Sequence, residues 1–397
     1  MNKNLSRLFE IAARKNRYII GLMSGTSLDG LDVALCKLSK HGLNTRIELL
    51  EFETVPYSSV VKSRITEVFA RKQVDFEKLC ILNPWLGILH GKMVISCLKK
   101  WKYEAQKIDM VASHGQTVFH SPAFLHPEQN TNATFQIGDG DHVAVTTGII
   151  TISDFRQKHI AKGGEGAPLA VYGDYLLLSH MTENRILLNI GGIANFTYLP
   201  AGRDPKKVFV TDTGPGNTLI DQLVRHSIPN VYFDRDATIA KRGKIHTKLL
   251  HELKSNPFFN MSFPKTTGPE LFNVKNVRSA QKRSNTTNLS LEDLLATLTR
   301  FSAETIAEAI QSVVKKKRFE IYFSGGGVHN PLLTKWIQEL LGIKNIRTTD
   351  ELGIPGDAKE AMLFAVLANE STVGGNVNFG TRAKIPSVSM GKISFPD

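Results

Sequence analysis

The segment Ile19-Ile20-Gly21-Leu22-Met23-Ser24-Gly25-Thr26-Ser27-Leu28-Asp29-Gly30 carries an apolar strand, Tyr18–Leu22, into a turn of small and hydroxylated residues. A second apolar run, Leu31–Leu35, follows at once. A hairpin of this composition can wrap a phosphate. Its glycines let the backbone approach closely, and amide N–H groups and hydroxyls donate without bulk. Asp29 stands where it could hold a metal ion, directly or through water. Turns of the same residue types also close ordinary hairpins, so the chemistry has to be supported elsewhere in the chain.

Two later segments again run a strand into glycines. Val208-Phe209-Val210-Thr211-Asp212-Thr213-Gly214-Pro215-Gly216-Asn217 ends a strand on Thr211-Asp212 and starts a helix near Asn217. Asparagine is a good N-cap, and a helix N-terminus flanked by glycine suits phosphate; Gly214, Gly216 and Asn217 are the ligand candidates. Asp212, at a strand end, is placed as a general base or metal ligand, or else serves the turn. Ile321-Tyr322-Phe323-Ser324-Gly325-Gly326-Gly327-Val328-His329-Asn330-Pro331 takes a buried strand through glycines into a helix starting near Pro331, a residue type favoured at the first helical position. Glycine there lets a flat ring or a phosphate lie on the backbone. Neither G-x-G-x-x-G nor G-x-x-x-x-G-K-[ST] is present, which excludes the Rossmann fingerprint and the P-loop.

Ser113-His114-Gly115-Gln116-Thr117 follows a strand ending at Ala112. Adjacent Ser and His do not make a catalytic pair, because triad members meet in space. His114 and Gln116 are expected to orient a ligand or to close hydrogen bonds. Asp154-Phe155-Arg156 ends another strand, and Arg156 could hold a carboxylate, a phosphate or a structural ion partner.

Positioning these groups requires alternating strands and helices, so the expected class is α/β. Strands are predicted at Ile47–Val55, Met110–Ser113, Thr134–Ile137, Ile149–Ser153, Ile186–Ile190, Phe196–Leu199, Glu320–Ser324 and Asn345–Thr348. Helices are predicted at Ser59–Arg71, Phe76–Trp101, Leu169–Ser179, Thr238–Arg242, Leu291–Lys316, Pro331–Leu341 and Ala358–Asn369. Ile186-Leu187-Leu188-Asn189-Ile190-Gly191-Gly192-Ile193-Ala194-Asn195-Phe196 repeats the strand, glycine turn and strand of the opening, which suggests a duplicated, two-lobed fold with a cleft. Asp154 to Leu169 is a candidate lobe crossover, and Phe258–Asn273 and Val373–Asp397 read as long loops.

Composition narrows the class. At 397 residues, 42% apolar and 22% charged, the chain is an ordinary globular one with room for two cores. No apolar run approaches the roughly 18–20 residues that span a bilayer. Cys36, Cys80 and Cys97 lack metal-like spacing and fit a reducing cytoplasm. The net charge of +12 is spread, and its densest runs, Lys99-Lys100-Trp101-Lys102 and Lys315-Lys316-Lys317-Arg318, close predicted helices, where cations favour the dipole. Neither a nucleic-acid nor a membrane partner is expected. Residues 1–17, with Leu5, Leu8, Phe9, Ile11 and Ala12 at helical spacing, read as a packed extension rather than a targeting signal.

Taken in order, these strings resemble the anhydro-N-acetylmuramic acid kinase family, within the actin, hexokinase and Hsp70 type of ribonuclease H-like fold. Gly163-Gly164-Glu165-Gly166-Ala167-Pro168-Leu169, Lys265-Thr266-Thr267-Gly268-Pro269-Glu270 and Thr349-Asp350-Glu351-Leu352-Gly353-Ile354-Pro355 belong to the same resemblance. It implies duplicated domains around an ATP and sugar cleft: residues 18–155 with about 356–397, and 156–355. It implies a homodimer that uses ATP and Mg²⁺ to turn 1,6-anhydro-N-acetylmuramic acid into N-acetylmuramic acid 6-phosphate. Asp212 matches the catalytic base. Ser24, Gly25, Thr26, Ser27, Leu28, Asp29 and Gly30 would cradle the β- and γ-phosphates, with Asp29 near the metal. Gly325, Gly326, Gly327 and Asn330 would carry the adenosine, and His114, Gln116, Arg156, Gly164, Glu165 and Glu351 would face the sugar.

Two departures stand out. Glu165 replaces an expected glutamine, which changes the local charge, and the 17-residue extension is unusual. The competing readings are a plain sugar kinase of the same fold, which would phosphorylate an existing hydroxyl, and an actin- or chaperone-like ATP switch.

Overall fold

The computed structural model describes residues 2–126, 128–268, 270–315, 317–375, 377–380 and 385–397. Pro269 of the Lys265–Glu270 string and Lys316, the expected helix end, lie outside the described residues. The chain divides into two compact units, Met1–Leu178 with Asp357–Asp397, and Ser179–Gly356. The expected boundary near 155 shifts, because the helices Phe155–Ala161 and Ala170–Leu178 belong to the first unit.

The first unit is built on strands β1 (Asn16–Ser24), β2 (Gly30–Ser39), β3 (Arg46–Pro56), β4 (Met110–Ser121), β5 (Ala133–Ile137) and β6 (Thr151–Ser153). The second is built on β7 (Asn184–Ile190), β8 (Ile193–Leu199), β9 (Phe209–Pro215), β10 (Phe319–Ser324) and β11 (Arg347–Thr348). A last strand, β12 (Lys392–Ser394), returns to pair with β6. The spatial order is β3-β2-β1-β4-β6 in one sheet and β9-β8-β7-β10-β11 in the other. In both, the first three strands are antiparallel neighbours and the next two run parallel to the first. The same unusual order and the same directions, twice over, are the duplicated ribonuclease H-like sheet of an α/β protein.

Local sequence explains the elements. β1 is buried along almost its whole length, as befits a central strand with parallel and antiparallel neighbours, whereas β3 at the edge is half exposed. The helix Phe76–Trp101 starts on Asp75, whose carboxylate accepts from the Lys78 N–H at 3.2 Å, and ends on Lys102 with φ 61°. Contrary to the composition-based expectation, this helix is long and apolar enough to cross a membrane. Its Leu82, Leu86, Val94 and Leu98 nevertheless belong to the core of the first unit. In the second unit the helix Leu291–Val314, capped by Ser290, lies across the packing that supports β7 to β9.

The N-terminal extension is a helix, Lys3–Ala13, capped by Asn2. Ile11 is fully buried, Asn4 donates to the Asp397 carbonyl at 2.9 Å, and Arg14 pairs with Asp109. It is therefore packed, and it ties the two ends of the chain together within the first unit.

The helix Lys359–Val373 closes the first sheet by running against β1. Backbone meets backbone there: a Cβ on Gly21 would lie 1.9 Å from the Ala361 carbonyl oxygen. Gly21→Ala should lower the unfolding free energy by about 1–3 kcal/mol, the cost of overpacking a filled core, and shift the urea midpoint down with it. An unchanged midpoint would show that the helix can withdraw without penalty.

Candidate active site

In the first unit the phosphate hairpin is locked from below. Gln116 on β4 donates from Nε2 to the carbonyls of Gly25 and Thr117, at 3.2 and 3.1 Å. Its Oε1 is left as an acceptor, and the Ser24 hydroxyl donates to it. Ser24 Oγ also lies 2.9 Å from the Tyr57 hydroxyl. With the Ser24 proton already used, Tyr57 must be the donor. Tyr57 in turn lies 2.7 Å from His90 Nε2, so His90 carries its proton on Nε2 and donates. His90 Nδ1 is bare and finds no hydrogen-bond partner among the described residues. Full burial accounts for this neutral state, pushing the His90 pKa from 6.5 down to about 3.

This chain of bonds alters two expectations. Ser24 is buried and its only proton is committed to Gln116, so it has none to offer a phosphate. Gln116 is fully buried with both of its donors used inside the protein, so it shapes the hairpin rather than facing a sugar. The exposed part of the hairpin is Thr26, Ser27 and Asp29. Leu28 is buried in the core with φ 58°, a strained value for a residue with a side chain. Gly30 opens β2 against the β3 backbone. Asp32 lies close by; burial raises its pKa first, and the charges of Asp357 and Asp29 add to the rise.

His114 and Arg156, singled out separately in the sequence, meet in the first unit. Arg156 Nε donates to His114 Nε2 at 2.9 Å, and Nη1 donates to the Gly166 carbonyl at 2.7 Å. Burial lowers the Arg156 pKa to about 10, against the pull of Glu360. The His114 ring packs on Phe364, 4.8 Å between centroids. The Gly163–Leu169 loop is held by His159, whose Nδ1 accepts from the Gly166 N–H at 3.0 Å. Gly164 rests against the same ring, and Glu165 is half-buried.

In the second unit Asp212 lies on β9 beside an irregularity in its pairing with β8, a device that re-aims side chains. Its Oδ2 accepts from the Thr267 N–H at 2.8 Å, and its own N–H donates to the Lys265 carbonyl at 2.9 Å. The helix Thr218–Ser227 begins after Asn217, but the Asn217 side chain makes no cap bond. The N–H groups of Gly216, Asn217 and Thr218 instead donate to the carbonyls of Gly192, Gly191 and Gly192. The N–H groups of Gly216 and Asn217, two of the expected phosphate donors, are thus spent on the β7–β8 hairpin. Gly214 lies just before this turn with φ 137°.

The glycine turn after β10 separates two causes. Cβ atoms on Gly325 and Gly327 would clash with Asn189 and Ile190 on β7, whereas one on Gly326 would meet nothing. Packing explains the first two, and Gly326 is the open position where a ligand can approach. Asn330 Oδ1 caps the helix Pro331–Leu341 by accepting from Leu333 N–H at 3.0 Å. Glu351, expected at the sugar, is exposed; it accepts from Arg347 at 3.0 Å and from the Thr348 N–H in a capping box.

Tyr57, His90 and Thr267 were not among the sequence candidates for the site. Thr267 stands in a quoted string, but Tyr57 and His90 have no spacing signal: Tyr57 directly follows β3 and His90 lies on the helix Phe76–Trp101, both far from Ser24 in the sequence.

Two such sheets, alike in strand order and direction and with glycine-rich strand ends, are the duplicated sheets of the actin, hexokinase and Hsp70 type of fold. A model of the family "Anhydro-N-acetylmuramic acid kinase" matches residues 17–396. A protein of that name from Pseudoalteromonas atlantica is 54% identical, covering 100% of both chains. One from Caldanaerobacter subterraneus is 40% identical over 98% of this chain and 100% of its own, and one from Bacillus cereus is 36% identical over 96% and 99%. The chain belongs to the anhydro-N-acetylmuramic acid kinase family.

His90 makes stability pH-dependent. Its folded pKa lies below 6.5, so the unfolded chain binds the proton first and stability falls as pH drops from 6.5 toward about 3. Each pH unit in that window costs about 1.4 kcal/mol from this group. His159, lowered to about 4, acts in the same direction. In urea unfolding between about pH 7.5 and about pH 5, His90→Gln should show a flatter dependence than the unmodified protein.

Proposed function

We propose that the protein opens 1,6-anhydro-N-acetylmuramic acid with water and transfers the ATP γ-phosphoryl group to O6, as a phosphotransferase of cell-wall recycling. The products are N-acetylmuramic acid 6-phosphate and ADP. The observation that carries this reading is Asp212: a carboxylate on the edge strand β9, beside its irregular pairing with β8 and held through Oδ2 by the Thr267 amide, in a chain of this family.

Asp212 takes a proton from water as the water oxygen bonds to the anomeric carbon. The bond between that carbon and O6 breaks, and its electron pair stays on O6. O6 then bonds to the γ-phosphorus as the bond to the β–γ bridging oxygen breaks, and ADP leaves. The proton on Asp212 passes to solvent. Ring opening thereby creates the nucleophile, and the transfer itself needs mainly positioning and charge stabilisation.

Thr26 and Ser27, with the backbone amides of the Ser24–Gly30 hairpin, hold the phosphates, and Gly326 admits the adenosine. Arg156, with its guanidinium set by His114 and Gly166, faces the sugar acid. Magnesium is held by one or two carboxylates together with substrate phosphates and water. The exposed Asp29, with Asp32 near enough to feel its charge, fits that demand. Bound there, the ion would neutralise charge on the phosphate oxygens. A homodimer and a cytoplasmic location are part of the same proposal.

Turnover in ¹⁸O-labelled water tests the reaction. Label at the anomeric hydroxyl and none in the new phosphate is expected; label only in free phosphate, with the sugar intact, would make the protein an ATPase. Asp212→Asn should keep ATP binding by calorimetry and lose about 10²–10⁴-fold in kcat. Near-normal kcat would remove Asp212 from the mechanism.

A further inference from the structure

Lys265 is a buried cation to which the mechanism above gives no task. It is 5% exposed, and backbone carbonyls and aromatic rings surround its ammonium. Its Nζ donates to the carbonyls of Phe258 and Phe259 at 2.9 and 3.2 Å. Three rings surround it, with centroids 4.4 Å (Phe258), 4.9 Å (Phe263) and 5.7 Å (Phe259) from Nζ. Ring quadrupoles and carbonyl dipoles together can hold an ammonium that has left water. The cage is itself anchored. Phe258 packs on Phe272 at 5.6 Å, and Phe259 on Phe301 of the helix Leu291–Val314 at 5.5 Å.

The backbone of the same lysine lies along β9, the edge strand of its sheet. Its N–H donates to Thr211 Oγ1 at 3.0 Å, and its carbonyl accepts from Asp212 N–H at 2.9 Å. Two residues on, the Thr267 N–H reaches Asp212 Oδ2. A second link runs from the cage to the same loop: the Phe259 ring stands 3.1 Å from where a Gly214 Cβ would be. An edge strand has no further strand to set its height, so this short segment does so.

We propose that Lys265 is a positioning residue for the catalytic base: the aromatic cage that grips its ammonium sets the Thr267 amide against Asp212 Oδ2. This rests on the reading of Asp212 as the base. Lys265 touches no substrate in this scheme. It acts through two residues of backbone, and the carboxylate orientation is what it controls.

The test is a double-mutant cycle on the full-length protein, with ATP and 1,6-anhydro-N-acetylmuramic acid as substrates. Lys265→Met should lower kcat by about 10²-fold, the loss expected for a misplacement of about 1 Å, with KM for both substrates unchanged. In an Asp212→Asn background the same substitution should cost nothing more, because its route of action is already gone. A loss that multiplies in that background, or KM values that rise while kcat holds, would overturn the proposal. Phe263→Leu trims the cage without removing the carbonyl bonds, and it serves if Lys265→Met does not fold. It should show a smaller kcat loss with the same non-additivity, and an unchanged kcat in the folded variant would also overturn the proposal. Full turnover by Asp212→Asn alone would instead sink the base reading, and the role of Lys265 with it.

Discussion

A polar group taken out of water must have its proton and its lone pairs used inside the protein, and this constraint shapes both glycine-rich strand ends. In the first unit it runs from His90 through Tyr57 and Ser24 to Gln116, and each donor assignment forces the next. In the second unit the carbonyls of Gly191 and Gly192 and the amides of residues 216–218 satisfy one another. A hairpin tied down in this way keeps its shape without a ligand. Its exposed edge can then meet one with little further ordering, which is how preorganised sites gain affinity.

The same constraint separates residues that look alike in sequence. Ser24 and Ser27 stand three positions apart in one glycine-rich turn, yet one is buried and bonded and the other is exposed. Gly325, Gly326 and Gly327 are consecutive, and only the middle one is free of the β7 backbone and side chains. A motif therefore mixes residues that hold the turn with residues that can reach a ligand, and the division follows from what lies beneath the turn.

Much of the fold was legible. The helices Phe76–Trp101 and Pro331–Leu341 occur with the predicted limits because their signals are local: an Asp cap in one, Pro at the first position in the other. The repeat of strand, glycine turn and strand pointed to the duplicated sheet. β4 runs on to Ser121, through Gly115 at φ 73°, where glycine had suggested an end. The helices Phe155–Ala161 and Val274–Arg283 were missed; the first starts from Asp154 in a left-handed conformation with no side-chain cap, and the second has only Val274, Val277 and Ala280 as apolar residues. Thr238–Arg242 shortens to a 3-10 turn. Of the proposed site, Asp212, His114 and Arg156 are named from their strings alone. The partners that fix Ser24 and Asp212 arrive through sheet pairing and a distant loop, and no local spacing reveals them.

The first unit is discontinuous in the chain, and that has a consequence for its synthesis. β1 emerges from the ribosome early, but the helix that covers it, Lys359–Val373, is made only after residues 179–356 have been added. Chains grow at about 5–20 residues per second, and domains generally fold as units during that time. The second unit, encoded without interruption, can finish while the first still waits with Gly21 and its neighbours uncovered. Until the helix Lys359–Val373 is made, the face of β1 that it covers stays open to non-native contacts.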